Sequence, residues 1–471
     1  MMRLEWFFDR INPVVLRESR QLVRSRFAVG VMMLFLAIMV VVSGLYVVSM
    51  NQHASRSFTH GQELFQILSA VMSLAMILFV PAHTALPLLL QRNTSGMDLL
   101  LISTIRPRAI IWGKMAAAFW MTILLLSVSM PFMLFTVLLR GIGLFEVLAS
   151  MATTVAFVMV ATAGFLVLVN LPFSRVMLWL MSVGYIMQLF IFPTVLSSIL
   201  LLGRRGGVPT EYYITMASLV AISLPILTSL AIALVSPAVS NRALGPRVTI
   251  TVCWLVSGIV CLILKNDASE AWLVLSMIGA SIAMLVSASE PSVPSQRVRR
   301  SIPRNPLLRL PAFPFFSGPL SGWTWCLLIG FVTFLACHST ASSIYSINFF
   351  TEFVPFMLYF LAYSLMAAFL RRVTFIRRFC PESMTWLLGG FLIALGCILP
   401  FIANFIIDPT SGPDLLWELG NPFAVWDDPE EHQVFATLLC LLLVLLNGRW
   451  LVGQLRSFRP PQAVQDAEGA E

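Results

Sequence analysis

Charged residues are scarce in this chain of 471 residues: they make up 11% of it, whereas hydrophobic residues make up 58%. A soluble protein of this length could not bury that much apolar surface. There are two lysines, Lys114 and Lys265, and neither lies in a G-x-x-x-x-G-K-[ST] loop, so a phosphate-binding loop of that kind is excluded. The composition therefore indicates a polytopic membrane protein that does not itself hydrolyse ATP through such a loop.

Residues that commonly carry chemistry are also few. The seven cysteines all lie in the second half without a C-x-x-C pair, which is typical of small packing side chains in reduced form. The five histidines are scattered, and no nucleophile can be matched with a base. We expect no catalytic site, cofactor or metal of the chain's own. The acidic loop 408–431 lacks the spacing of a known calcium loop; a solvated face is the favoured interpretation, and a metal site is the alternative.

Long apolar runs predict an all-α polytopic membrane bundle of about twelve transmembrane helices. Each run is long enough to cross about 30 Å of hydrocarbon at about 1.5 Å per residue. None carries a charged residue deep within it, which disfavours an ion-coupled secondary transporter. The predicted spans are 27–50, 64–90, 113–139, 144–171, 176–202, 213–236, 248–264, 271–289, 320–340, 352–370, 385–407 and 434–455.

Positive charge is distributed unevenly between alternate loops. With a cytoplasmic N-terminus and twelve crossings, 25 of the 30 Lys and Arg residues fall on the cytoplasmic side. This is the asymmetry of the positive-inside rule, and it places both termini in the cytoplasm. The net charge of +8 then reflects topology. It is spread over many loops rather than gathered in one patch, so it gives little support to nucleic-acid binding.

The loop 91–114 is the one connection in the first half that is polar enough to make a structured contact. Asp98 is followed by four apolar residues, too few to cross a bilayer. A short helix at the membrane surface fits, with Asp98 in its first turn and Pro107 limiting its far end. The alternative is an ordinary cytoplasmic loop whose basic residues only fix the topology.

Residues 1–26 are predicted to be an amphipathic entry region, not a cleavable signal peptide, because the apolar run that follows is too long. Asn12-Pro13 is typical of a helix start. On a helical wheel Arg17, Gln21 and Arg24 lie opposite an apolar face. Such a helix lies in the interface with its arginines toward lipid headgroups; a topology signal without a docked helix is the alternative.

The remaining divisions follow from composition. Residues 290–319 form a basic, Pro-rich cytoplasmic linker, a composition that disfavours a long regular helix and suits contact with anionic headgroups. Phe313, Phe315 and Phe316 are expected to anchor it at that interface. The predicted order is an entry region 1–26, a six-span unit 27–245 containing 91–114, two spans 246–289, the linker 290–319, a four-span bundle 320–459 and a disordered tail 460–471.

Two stretches resemble elements of the permeases of ATP-binding-cassette (ABC) type-2 exporters. Residues 12–26 are similar to the amphipathic entry helix of that family. The later S-G-M-D-L-L-L-I-S-T-I-R-P-R-A-I-I-W-G-K resembles the family's G-T-L-[DE]-L-L-L-[LS]-T-P-L-S-[PR]-R-E-I-[VL]-L-G-K. The positions that match are Asp98, Leu99, Leu100, Leu101, Pro107, Arg108, Ile110, Gly113 and Lys114.

In that family the second stretch lies between the second and third spans on the cytoplasmic side, where it forms a coupling helix on a separate ATPase subunit. ATP-driven closure of two ATPases switches a permease dimer between inward-open and outward-open states. The resemblance implies a cell-membrane exporter subunit (in the inner membrane if the source is bacterial), paired with itself or another permease. The residues it implicates are Asp98, Arg106, Pro107, Arg108, Gly113 and Lys114 for coupling and Arg17, Glu18, Arg20 and Arg24 on the entry helix.

The chain departs from the family pattern at several positions. The acidic residue before the family's Gly-Thr is absent, and its Arg-Glu is Arg108-Ala109 here, which weakens the acidic end of the ATPase contact. The second six spans show no repeat of the coupling stretch. A membrane scaffold that transports nothing is the alternative function.

Overall fold

The computed structural model describes residues 13–52, 60–91, 106–139, 142–189, 191, 210–237, 239–264, 267–340, 345–407, 418–426 and 428–460. Within these residues it is 86% helical and contains no strand, so the all-α prediction is confirmed. The chain divides into two compact units, Met1–Ser236 and Pro237–Glu471. Each unit is a helical bundle.

The first unit contains seven described helices. They are α1 Pro13–Arg24, α2 Arg26–Gln52, α3 His60–Gln91, α4 Pro107–Leu138, α5 Leu144–Val169, α6 Arg175–Leu189 and α7 Thr210–Val235. Helix α3 is central because it packs against α2, α4 and α5. In its apolar stretch 61% of residues are buried, against 17% in that of α2. The interior is rich in methionine, including Met39, Met72, Met76, Met121, Met133 and Met151, whose unbranched side chains fill irregular gaps.

The second unit contains nine described α-helices. They are α8 Leu244–Leu264, α9 Asp267–Ser287, α10 Gln296–Arg300, α11 Pro306–Ala312, α12 Pro319–Thr340, α13 Tyr345–Leu370, α14 Thr374–Phe379, α15 Thr385–Ile407 and α16 Pro429–Ser457. Helix α13 is central here: it packs on α9, α12, α15 and α16, and 72% of its apolar stretch is buried.

Ten helices among the described residues are long and apolar enough to cross a membrane, which supports a membrane-embedded, multi-pass chain. Two shorter apolar helices, α6 and α9, overlap the predicted spans 176–202 and 271–289. For α9 the helix matches the predicted span closely. For α6 the described helix ends at Leu189, and most of the rest of the predicted span lies outside the described residues.

The third membrane helix begins earlier than the sequence predicted, at Pro107 instead of residue 113. Arg106 precedes it in extended conformation, with φ −68° and ψ 137°. Proline suits the first helical position because its missing N–H would have no partner there and its φ is already helical. Arg108 and Lys114 therefore lie on the membrane helix itself. The predicted surface helix around Asp98 lies outside the described residues.

The linker 290–319 is folded into two short helices, α10 and α11, and a 3-10 turn at Phe313–Phe315. The expectation that Phe316 anchors at the membrane interface was wrong. Phe316 is buried and packs with Val298 and Ile302, and its ring meets that of Phe458 edge-on at a centroid distance of 5.2 Å. The end of α16 supplies an apolar partner that lies far away in sequence.

Candidate functional site

The entry helix α1 is described from Pro13 to Arg24 and packs along α4. Gly113 makes this close approach possible. A methyl group at this position would lie 2.5 Å from Val14 Cγ1 and 2.8 Å from Val14 Cβ, well inside van der Waals contact. Because the Cβ atom of Val14 is fixed to its backbone, no side-chain rotation could relieve that clash. Glycine therefore allows the two helices to touch.

An ion pair joins the same two helices. Lys114 Nζ donates to Glu18 Oε1 at 3.0 Å and to the carbonyl of Thr84 on α3 at 3.5 Å. The lysine is 6% exposed, while the carboxylate side chain keeps 24% of its surface exposed. A buried ammonium is unfavourable unless it is paired and hydrogen-bonded, and here three helices meet to satisfy it.

The turn between α1 and α2 is held against the same region. Ser25 interrupts the helix, and its hydroxyl accepts a hydrogen bond from the backbone N–H of Ala28 at 3.3 Å. The Phe27 ring stacks on His83 of α3 at a centroid distance of 6.2 Å. The entry helix is thus fixed at both ends, by the aromatic stack and by the contacts to α4.

The outward face of α1 is basic. Arg17, Arg20 and Arg24 are exposed, and together with Leu16 and Gln21 they line an open groove of about 560 Å³. Glu18 is the one acidic residue of this helix, and it turns to Lys114 instead. Among the described residues of α1 and its surroundings, Arg17, Arg20 and Arg24 therefore form a row of three exposed positive charges next to the first membrane helix.

The implicated coupling residues are not all in one environment. Arg106 and Arg108 are exposed at the start of α4, and Pro107 is the first helical residue. Gly113 and Lys114 instead contact the entry helix. Asp98 lies outside the described residues. Sequence reasoning implicated Glu18, Gly113 and Lys114 individually but missed that they meet, because 96 positions separate the ion pair.

A second buried ion pair organises the linker of the second unit. Arg247 on α8 is 4% exposed, and its Nη2 contacts Oε1 of Glu290. Arg247 Nη1 donates to the carbonyls of Pro314 at 2.8 Å and Phe316 at 2.6 Å. Burial raises the pKa of the Glu290 carboxyl, and the neighbouring arginine opposes that shift with a smaller effect. The pair fastens both ends of the linker to α8.

Part of the acidic loop 408–431 is described, and it is held by α13. The hydroxyl of Tyr359 donates to the carbonyl of Leu419 at 2.7 Å and lies 2.9 Å from Nδ1 of His432. Since that hydroxyl has one proton, His432 donates from Nδ1. Within the described part of the chain no group of three or more His, Cys, Asp or Glu could hold a metal ion; Asp408 and Asp427 lie outside it.

No family model, curated protein or solved structure matches this chain.

Proposed function

We propose that this chain is the membrane subunit of an ABC-type exporter, driven by a separate ATPase subunit that binds the ATP. In this proposal twelve helices cross the cell membrane, both termini are cytoplasmic, and the chain forms the substrate path together with a permease partner, either a second copy of itself or another permease. The observation that carries the proposal is the docking of α1 on α4 through Glu18, Gly113 and Lys114. Those three residues belong to the two stretches by which the sequence resembles type-2 permeases.

The docking supports the proposal because it would transmit a movement of the coupling stretch to both α4 and α1. A partner that moves residues 91–106 pulls on the start of α4, since the backbone is continuous from Arg106 into that helix. Helix α1 would follow, because the Gly113 contact and the Lys114 ion pair join it to α4. The packed core formed with α3 and α5 then passes the displacement on, since packed interiors transmit strain rather than absorb it.

The exposed arginines near this junction suit a partner with acidic groups. Arg106 and Arg108 mark the point where the coupling stretch enters the membrane helix, and neither is buried. Solvent-exposed arginines add little to folding stability, so they are available for a carboxylate-lined surface. Bidentate contacts of guanidinium groups to carboxylates give such a contact orientation as well as strength.

The test is purification of the tagged full-length chain from native membranes in mild detergent, followed by mass spectrometry of the copurified proteins. The Arg106→Glu/Arg108→Glu variant is compared with a matched control, Arg377→Glu/Arg378→Glu. The control reverses the charge of two exposed arginines in the second unit. We expect an ATPase with a phosphate-binding loop to copurify with the parent and the control and to be lost from the first variant.

Activity separates transport from scaffolding. In the purified complex we expect ATP hydrolysis that an exported substrate stimulates. In Lys114→Met the ATPase should remain bound while this stimulation falls, because the surface is intact and the α1–α4 connection is weakened. If no ATPase copurifies under conditions that retain other partners, the proposal is wrong and a non-transporting scaffold becomes the better explanation.

A further inference from the structure

The linker of the second unit presents a leucine-rich surface that is exposed among the residues that the structure describes. Helix α11 has no buried residue. Its three leucines, Leu307, Leu308 and Leu310, are 82%, 59% and 80% exposed. Exposed apolar groups that cluster in this way mark interaction surfaces. We call residues 290–318 the linker lobe.

The lobe is a fixed structure, so the exposure of its leucines does not reflect a loose segment. Its interior is formed by Val298, Ile302 and Phe316. Asn241 accepts hydrogen bonds from the N–H and hydroxyl of Ser317, at 3.1 and 2.8 Å, and Ser295 donates to the carbonyl of Val239 at 2.6 Å. Together with the Arg247 contacts, these bonds hold the lobe on residues 239–247.

The position of the lobe places it where membrane helices end. It follows the last turn of α9 and precedes the first turn of α12. The N-terminal turn of α8 holds it through Arg247, and the C-terminal end of α16 meets it through Phe458, whose ring packs edge-on against Phe316 at a centroid distance of 5.2 Å. Four helix ends therefore meet the lobe, and three of these helices, α8, α12 and α16, are long and apolar enough to cross a membrane.

The linker lobe is also basic. Arg297, Arg300 and Arg304 are exposed, and the one acidic residue of the lobe, Glu290, is bound to Arg247 and to the backbone N–H of Gly318. Arg309 lies on α11 itself and donates to the carbonyl of Arg304 at 3.2 Å. Exposed leucines and exposed arginines in one small element are the combination found in segments that lie in an anionic membrane surface.

We propose that the linker lobe is a binding site for anionic phospholipids of the membrane leaflet it faces. The three leucines enter the boundary of the acyl chains, and Arg297, Arg300 and Arg304 bind the phosphate groups. This proposal does not depend on the exporter function.

Photo-crosslinking of the full-length chain in nanodiscs tests it. Leu310 is replaced by benzoylphenylalanine, and Leu328, 51% exposed within α12, is replaced in a second variant as the reference for contact with acyl chains. The nanodiscs contain equal amounts of phosphatidylglycerol and phosphatidylcholine. We expect both positions to form lipid adducts and the Leu310 position to favour phosphatidylglycerol.

The arginines are tested in the same nanodiscs with the Leu310 probe combined with Arg297→Gln/Arg300→Gln/Arg304→Gln. The ratio of anionic to neutral lipid adducts should fall by about fivefold for each arginine that contributes fully. The proposal is overturned if the Leu310 probe gives adducts with protein, including a second copy of the chain, or none at all while Leu328 gives lipid adducts. An unchanged lipid ratio in the triple variant would also overturn the proposal, because it assigns the recognition of anionic lipid to these arginines.

Discussion

Lys114 Nζ lies 3.0 Å from Oε1 of Glu18, and this ion pair joins two helices whose sequences are 96 positions apart. It is the polar half of a contact whose steric half is the close approach of Val14 to Gly113. Because of these contacts, we expect the amphipathic helix α1 and the membrane helix α4 to move together. Mutations can separate the two halves.

The first prediction concerns the ion pair. Lys114→Met should lower the apparent melting temperature of the detergent-purified protein, because it leaves a partly buried carboxylate without its partner. Glu18→Gln should do the same by leaving the ammonium uncompensated. The double variant should lose less than the sum of the two, with a coupling of about 1 kcal/mol or more. Additive losses would show that the two side chains do not act as a pair.

The second prediction concerns the close approach. Gly113→Ala should displace α1 and lower the apparent melting temperature, since the added methyl group would lie 2.5 Å from Val14 Cγ1. Val14→Gly removes both clashing carbons and should restore much of the loss in the double variant. The matched control is Gly30→Ala on α2, where nothing lies within 4 Å of the added methyl group; it should be neutral or slightly stabilising.

A third prediction concerns the attachment of the linker lobe. Arg247→Met removes the donor to Pro314 and Phe316 and leaves Glu290 without its cation, so the lobe should loosen. Limited trypsin digestion should then cleave after Arg297, Arg299 or Arg300 faster than in the parent. Glu290→Gln should have a smaller effect, because Arg247 keeps both carbonyl acceptors. Equal cleavage rates in all three proteins would show that these bonds do not hold the lobe.

The fourth prediction separates twelve crossings from ten. Val239→Cys and the native Cys380 are mapped by peptide mass spectrometry after labelling of sealed cells with a membrane-impermeant maleimide. Twelve crossings place both thiols in the cytoplasm, where they stay protected until the membrane is opened. If neither α6 nor α9 crosses, the thiol at position 239 is labelled from outside. Burial raises the pKa of the Cys380 thiol, so its labelling in opened membranes should speed up as the pH rises.

The membrane helices could be predicted largely from local sequence, because a long apolar run has few alternatives to a helix in a bilayer. A helix in the entry region was likewise predictable, and α1 confirms it; Asn12, the predicted cap, lies outside the described residues. The start of α4 at Pro107 was placed too late because Arg108 and Lys114 look like loop residues until Glu18 is known to satisfy the lysine. The hydropathy of the α4 segment contains no information about an ion-pair partner 96 positions away in the sequence.

The linker 290–319 was harder still to predict, because its structure depends on contacts with residues that are distant in sequence. Its prolines and arginines correctly disfavoured a long helix, and they also suggested surface-anchored phenylalanines. The interior position of Phe316 depends on Phe458 and on Arg247, which come from the two ends of the second unit. The candidate site in the first unit was predicted residue by residue but not as an assembly, since pairing is a property of packing rather than of spacing.

The distance in sequence between Glu18 and Lys114 also sets an order of events during synthesis. The entry helix leaves the ribosome early, but its lysine partner follows 96 residues later, which takes about 5 to 20 seconds at typical translation rates. During that interval the first two membrane helices can insert while the entry helix has no docking surface. The entry helix can therefore reach its native position only after the third membrane helix, α4, has been synthesised.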